Sequence, residues 1–187
     1  MHVVHMDNCH GEESETDVGR FVMPSHETFS MKPIRELLES KVPKEGLGID
    51  PFARRRHGFA TVYNDANPDC DVDYHEDAID FLRRYEGASV DWVLYDPPYS
   101  LRQLKECYDG VGRAMTQHES QRFFSDIKKE IVRVLKPGGI VISFGWNSGG
   151  VGQKALFERL VYMSLYHGGI HNNTIVTVDR KKVFSFE

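Results

Sequence analysis

The chain of 187 residues predicts one α/β domain, with a mostly parallel sheet, an antiparallel final strand and shortened early helices. Three observations carry this reading. An apolar run, Asp91-Trp92-Val93-Leu94-Tyr95, stops at Asp96-Pro97-Pro98-Tyr99, the pattern of a buried strand that delivers a loop at its carboxyl end. Strand-like runs alternate with helix-like periods over much of the chain, as βα units require. Near the end, two apolar stretches are joined by the short connection His167-Gly168-Gly169-Ile170-His171, too brief for a crossover, so they read as an antiparallel pair.

Composition narrows the classes. Hydrophobic residues make up 40% and charged residues 27% of the chain, the balance of a globular domain with its own core. No apolar run approaches membrane-spanning length and no signal-peptide pattern opens the chain, so no membrane partner is expected. Three scattered cysteines, Cys9, Cys70 and Cys107, do not make a disulfide framework and fit a reducing, cytoplasmic setting. The net charge of −5 sits awkwardly with phosphate binding, although a local basic patch is compatible with it. Residues 1–24 read as a mobile acidic leader, with Glu12-Glu13-Ser14-Glu15 as its charged cluster, and residues 25–187 as one domain. In the leader, His2, His5, Cys9 and His10 match no established zinc spacing, and no metal is expected.

In chain order, residues 31–42 read as a helix, with Ile34, Leu37 and Leu38 on one face and Pro33 in the first turn. The next strand runs through Leu47-Gly48-Ile49-Asp50 into Pro51-Phe52-Ala53. It is followed by Arg54-Arg55-Arg56-His57-Gly58, a basic loop that either binds phosphate or carboxylate or is simply solvated. Only residues 54–60 separate Ala53 from the following run, Thr61-Val62-Tyr63, too few for a normal helical crossover. Asn64-Asp65 ends that second strand, where a carboxylate accepts both hydroxyls of a ribose; Asp65 is the ribose candidate and Asn64 suits a plain turn. Residues 72–75 read as a further short strand. Glu76-Asp77-Ala78 then opens a helix with Asp77 as its cap.

After the central loop, residues 100–108 form a predicted helix capped by Ser100, and residues 119–135 a longer amphipathic one. The second ends at Lys136-Pro137-Gly138-Gly139, a stop signal before the strand Ile140-Val141-Ile142-Ser143-Phe144. That strand delivers Trp146 and Asn147 beside the central loop, where they either contact a ligand, by stacking or hydrogen bonding, or serve as a core aromatic and a turn residue. Residues 153–166 read as a helix running into a strand and residues 172–179 as the last strand.

The central loop has a definite chemistry. Pro97 and Pro98 lack N–H groups, and the residues before them are held extended, so the loop offers the Asp96 carboxylate and carbonyl oxygens with few competing donors. Tyr99 adds an aromatic face. The arrangement suits a flat ring with an exocyclic –NH2: Asp96 and the Pro97 carbonyl accept its hydrogens while Tyr99 stacks on the ring.

Asp96-Pro97-Pro98-Tyr99 resembles motif IV of the S-adenosylmethionine-dependent amino-methyltransferases, above all the N6-adenine DNA methyltransferases. Other stretches resemble that family's motifs in the matching order. His26-Glu27-Thr28-Phe29-Ser30-Met31-Lys32-Pro33 is similar to motif X, with two extra residues, which implies cofactor contacts for Thr28 and Lys32. Asp50, Pro51, Phe52 and Ala53 match the start of motif I, although three arginines replace its glycine-rich turn. Asp77 and Ala78 match motif III, which recognises the cofactor's adenine. Leu-Lys-Pro-Gly-Gly before an apolar strand recurs across the methyltransferase fold, and Asp-Pro-Pro-Tyr-Ser and Phe-Gly-Trp-Asn-Ser are similar to runs of small phage- and prokaryote-type adenine methylases; the resemblance covers residues 26–179. Family members that choose a DNA sequence usually carry a separate target-recognition region, and no stretch here is long enough to be one. The resemblance implies a Rossmann-like methyltransferase fold, S-adenosylmethionine as cofactor and catalysis by Asp96, Pro97, Pro98 and Tyr99, with Ser100, Trp146 and Asn147 as substrate contacts. The implied reaction is methylation of adenine N6 in DNA. DNA is then the expected partner, with a homodimer or a separate specificity subunit as routes to target choice. An RNA adenine or guanine amino-methyltransferase, or a non-catalytic partner subunit of the same fold, are the alternatives.

Overall fold

The computed structural model describes residues 16–21, 27–113, 115–168 and 172–184. In chain order the elements are β1 (Thr16–Phe21), a single 3₁₀ turn (Thr28–Ser30), α1 (Lys32–Lys41), β2 (Gly48–Asp50), β3 (Val62–Tyr63), α2 (Ala78–Arg83), β4 (Val90–Tyr95), α3 (Leu101–Gly110), α4 (Gln117–Val134), β5 (Leu135–Gly145), β6 (Phe157–Tyr166) and β7 (Thr174–Lys181). The strands form one sheet in the order β1-β6-β7-β5-β4-β2-β3. Every neighbouring pair is parallel except the two that involve β7, which runs antiparallel to β5 and β6.

Alternation along the central strands supplies two cores. Val93, Tyr95 and Val141 face the helical layer of α2, α3 and α4, where Phe81, Leu104, Phe123, Ile127 and Ile131 are buried against them. Trp92, Leu94, Ile142 and Phe144 face the other way, onto Ile34 and Leu38 of α1. With both faces covered, β4 is apolar at almost every position, as a central parallel strand must be. Helix α4 begins at a capping box, in which Thr116 accepts from the Glu119 N–H and Glu119 from the Thr116 N–H.

Four expectations about elements change. Residues 16–21, assigned to the leader, form β1 against β6, whose ten residues would otherwise present an open edge of backbone donors and acceptors. The Arg20 guanidinium ties this strand to Glu36 of α1 at 2.9 Å. The rest of the leader, with His2, His5, Cys9 and His10, and the loop residues 169–171 lie outside the described residues. Residues 72–75 form no strand; the Tyr63 N–H is instead taken by the Asp73 carboxylate at 2.9 Å, and only the isolated bridge Asn64–Tyr74 remains. No helix precedes β6: the Gln153 carbonyl accepts from the N–H groups of Leu156 and Phe157, one turn, and the chain is then extended. Strand β5 starts at Leu135, directly after α4, rather than at Ile140. Its register against β4 slips between Val90 and Trp92, where Gly138 has φ of +81° and a Cβ on Gly139 would lie 2.8 Å from the Asp91 carbonyl oxygen.

Among the described residues no helix is long and apolar enough to cross a membrane.

Candidate active site

Strand β4 carries the chain to the carboxyl edge of the sheet and releases it as Asp96-Pro97-Pro98-Tyr99, the edge where ligands of open α/β sheets bind. The loop is held from three sides. The Tyr99 N–H donates to the Gln103 side chain at 2.8 Å, and Ser100 caps α3 by accepting from the Gln103 N–H at 3.2 Å. The Tyr99 hydroxyl donates to Asp96 Oδ1 at 2.5 Å. The Thr28 hydroxyl bonds the same carboxylate from the 3₁₀ turn. Burial pushes the Asp96 carboxyl up to about 6; the Tyr99 and Thr28 hydrogen bonds lower it, and the nearby charge of Asp50 raises it.

The ends of β2 and β3 bring more carboxylates to this edge. Asp50 is fully buried, accepts from the Phe52 N–H at 2.9 Å and pairs with His57 Nε2 at 2.8 Å. His57 Nδ1 accepts from the Phe59 N–H at 3.2 Å, which assigns the ring proton to Nε2 and makes His57 the donor to Asp50. The imidazole stacks on Phe29, with ring centroids 4.2 Å apart. Burial raises the Asp50 carboxyl; His57 counteracts this and the charge of Asp65 adds to it. Asn64 is a fully buried bracket, not a plain turn residue: its amide donates to the carbonyls of Pro51 and Glu76 and accepts from the Glu76 N–H, all within 3.1 Å. The carboxylate of Asp65 accepts from the N–H groups of Arg54 and Asn67.

Arg54, Arg55 and Arg56 occupy the turn that follows Ala53. Arg54 takes the left-handed conformation a glycine would, with φ of +54°, in a turn closed by the Arg55 N–H and the Ala53 carbonyl. Such a position costs a side-chain-bearing residue about 1–2 kcal/mol. Arg55 pairs with Glu27, and Arg56 with Asp73 at 2.5 Å and Asp71 at 3.7 Å. Phe52 leaves this turn to pack beside Tyr95 and Phe123, while Ala53 is buried.

At the start of α2, Asp77 is the predicted cap, accepting from the Ile79 N–H at 2.9 Å, and Ala78 is buried. Its second oxygen is engaged by the Tyr108 hydroxyl at 2.6 Å and by Arg113 at 3.1 Å. A cavity of about 300 Å³ opens beside it, lined among others by Ile79, Met115, His118 and Phe123.

A second cavity, of about 250 Å³, lies against the central loop. Pro97, Pro98 and Tyr99 form one wall, Trp146 and Asn147 another, and Phe124 and Lys128 of α4 a third. Tyr99 and Trp146 meet edge to face at 5.6 Å. Asn147 also closes its own turn, accepting from the Gly149 N–H. Thr28, Asp96 and Tyr99 are thus joined, and Tyr99 shares the cavity with Trp146 and Asn147. Two expected residues are not brought to it. Lys32, expected to contact the cofactor, is 88% exposed on α1, near Glu36. The Ser100 hydroxyl is spent on the helix cap. Sequence reading passed over His57, Tyr95 and Ser143; the last two differ in parity from the outward core residues Leu94 and Ile142, a signal visible in the strand alternation. Among the described residues no group of three His, Cys, Asp or Glu could hold a metal, and Cys70 and Cys107 are free thiols.

Comparison with solved structures decides the architecture. TrmN from Thermus thermophilus superposes with a TM-score of 0.50 at 15% identity, over 81% of this chain and 49% of that one. A candidate transferase from Pyrococcus horikoshii, PH0793, gives 0.50 at 12% identity over 79% of this chain and 62% of that one. The chain has a Rossmann-like methyltransferase fold. No family model matches the sequence. Two curated proteins align with parts of it: YubD, a candidate methylase of Escherichia coli (strain K12), 32% identical over 72 residues, and the ribosomal RNA large subunit methyltransferase I of Shewanella frigidimarina, 29% identical over 120 residues. These segments are 38% and 63% of this chain but only 30% and 27% of those proteins, so the alignments span under a third of either relative.

Proposed function

We propose that this protein transfers a methyl group from S-adenosylmethionine to the exocyclic amino group of a nucleobase, and that the nucleic acid is RNA. The observation that carries the proposal is Asp96, fixed by two hydroxyls at the end of the central strand beside a cavity walled by prolines and aromatic rings. An exocyclic amine is a weak nucleophile because its lone pair is delocalised into the ring. Hydrogen bonds from it to Asp96 and to the Pro97 carbonyl favour a tetrahedral nitrogen and free that pair. Asp96 then stabilises the positive charge that grows on nitrogen and accepts the proton released, which at a pKa of about 6 it passes on to water near neutral pH.

The cofactor fits the donor set at the neighbouring strand ends. The charge of Asp65 raises the carboxyl of Asp50, and that of Asp50 raises the carboxyl of Asp96, a crowding that a cationic ligand relieves. Asp65 stands where a ribose diol is held in related folds, Thr28 reaches the same edge, and Phe52, Asp77 and Ala78 flank it. When bound, S-adenosylmethionine supplies an electrophilic methyl group on a sulfonium. The competing donors on Asp77, Tyr108 and Arg113, would have to share that carboxylate with the adenine.

RNA is favoured by the longer of the two alignments, which is with an enzyme named for ribosomal RNA. The motif Asp96-Pro97-Pro98-Tyr99 favours a second reading, methylation of adenine N6 in DNA, with a homodimer or a separate subunit to choose the site. In a duplex the amino group is paired, so either polymer must present the base unpaired or flipped. Labelled-methyl transfer to RNA, single-stranded DNA and duplex DNA, followed by nucleoside analysis, separates these readings. The expected product is an N-methylated base in RNA. Transfer confined to DNA moves the assignment to the second reading, and poor cofactor binding by calorimetry, with no transfer to any polymer, makes the chain a non-catalytic partner.

A further inference from the structure

The cavity beside the central loop has a polar floor that methyl transfer itself does not use. Tyr95, the last residue of β4, and Ser143 of β5 are register partners in adjacent parallel strands, so their side chains leave the sheet on the same face. Both residues line the cavity, and they are only 3% and 5% exposed. Among the described residues, neither hydroxyl has a hydrogen-bond partner. A buried hydroxyl without a partner loses its hydration and gains nothing in return, and native interiors rarely keep one, let alone two side by side. Phenylalanine and alanine would fill the same space without that penalty. The walls above the pair are flat or aromatic, and Lys128 adds a third donor whose pKa is pushed down by burial. The volume, about 250 Å³, is on the scale of a single heterocycle.

We infer that the Tyr95 and Ser143 hydroxyls are the base-reading pair of this site, forming hydrogen bonds to the ring nitrogens or carbonyl oxygen of a nucleobase whose amino group is turned toward Asp96. The inference rests on the proposed methyl-transfer reading for its orientation, but not for the binding itself. Each hydroxyl can donate or accept, so the pair accommodates a ring edge of mixed polarity. Tyr99 and Trp146 hold the ring's faces and edges, whereas the two hydroxyls distinguish one ring edge from another. They are positioning and specificity residues, with no role in moving the methyl group.

Tyr95→Phe and Ser143→Ala remove only oxygen atoms from the cavity floor, and they test the inference through two readouts. The first is binding of adenosine, cytidine and guanosine by calorimetry, with uridine as the control lacking an amine. At least one amine-bearing nucleoside is expected to bind wild type more tightly than uridine, and each variant should weaken it about three- to tenfold, the loss of one neutral hydrogen bond. The second is thermal unfolding of the ligand-free protein, in which both variants should melt at or above the wild-type temperature because no bond is lost. A fall in melting temperature would reveal a structural partner for the hydroxyl and overturn the inference, as would nucleoside binding unchanged in both variants or absent in wild type. If nucleosides bind and the variants weaken them while no polymer is methylated, the base-reading pair stands and the methyl-transfer reading falls.

Discussion

In the proposed reaction Asp96 has two opposed demands: to remain ionised so that it can polarise an amine, and to sit where burial favours the neutral acid. Its carboxyl is raised from 3.8 to about 6, with burial the largest cause. Because the folded state holds the proton more tightly than the unfolded chain does, ionisation of Asp96 costs stability. That cost is absent below about pH 4 and fully present above about pH 6. Asp96→Asn keeps the acceptor oxygen for Tyr99 and Thr28 without the charge, so it should melt above wild type at pH 7.5 and converge with it at pH 4, followed by circular dichroism. The same carboxylate makes activity fall as the pH drops through about 6, an acid limb that a pH–rate profile will show. Tyr99 divides into two parts. Tyr99→Phe keeps the ring but removes a hydrogen bond that lowers the Asp96 pKa, so the acid limb should move to higher pH with little change in KM. Tyr99→Ala removes the ring as well and should raise KM about tenfold, in line with stacking worth roughly 1–3 kcal/mol per base. Asp96 and Tyr99 were legible in the sequence because prolines fix backbone geometry locally. The hydrogen bond between them was not, since it depends on how the loop folds back on itself.

At the scale of elements, the site depends on how closely β2 lies against β4 and on the bracket that replaces the missing first helix. A Cβ on Gly48 would lie 1.8 Å from the Trp92 ring, and the Trp92 Nε1–H donates to the Phe59 carbonyl at 2.8 Å, pinning the loop that carries His57. Gly48→Ala must therefore displace that indole. We expect a loss of about 3 kcal/mol, the upper end for overpacking, in urea denaturation, with a changed near-ultraviolet signal from Trp92. Asn64→Ala leaves two carbonyls and one N–H without their partner at the ends of β2 and α2, and should cost about 2–3 kcal/mol in the same assay. Cofactor affinity should fall with it, because Asp65 follows in the chain. The long periodic elements, α1 and α4, were legible because apolar spacing and the Thr116–Glu119 cap act over neighbouring residues. The 72–75 segment was misread because its strand-like alternation is answered by side chains, with Asp73 supplying the acceptor that a neighbouring strand would have supplied. β1 was missed for the opposite reason: nothing in its own six residues signals a strand, and the open edge of β6 recruits it.

The whole molecule is a sheet whose carboxyl edge gathers the chemistry from the ends of β2, β3, β4 and β5, while α1 and the α2–α4 layer cover its faces. This is why residues 46 and more positions apart, from Asp50 to Asp96 and on to Trp146, share one edge although no local pattern links them. The antiparallel β7 followed from the short connection before it, whereas the order of strands in the sheet has no local signal in the chain. The fold by itself does not select a substrate, since it is common to enzymes with different ones. A net charge of −5 distributes over the entire surface and does not report on the cavity. The central claim is that Asp96 directs methyl transfer to a base amine in RNA. Its most direct test is labelled-methyl transfer from S-adenosylmethionine to RNA by wild type and Asp96→Ala, with cofactor binding measured in parallel. The account predicts labelled N-methyl nucleoside with wild type and at least a hundredfold loss with the variant (about 3 kcal/mol of transition-state stabilisation), at cofactor affinity within a few-fold. Equal transfer by both proteins would contradict it.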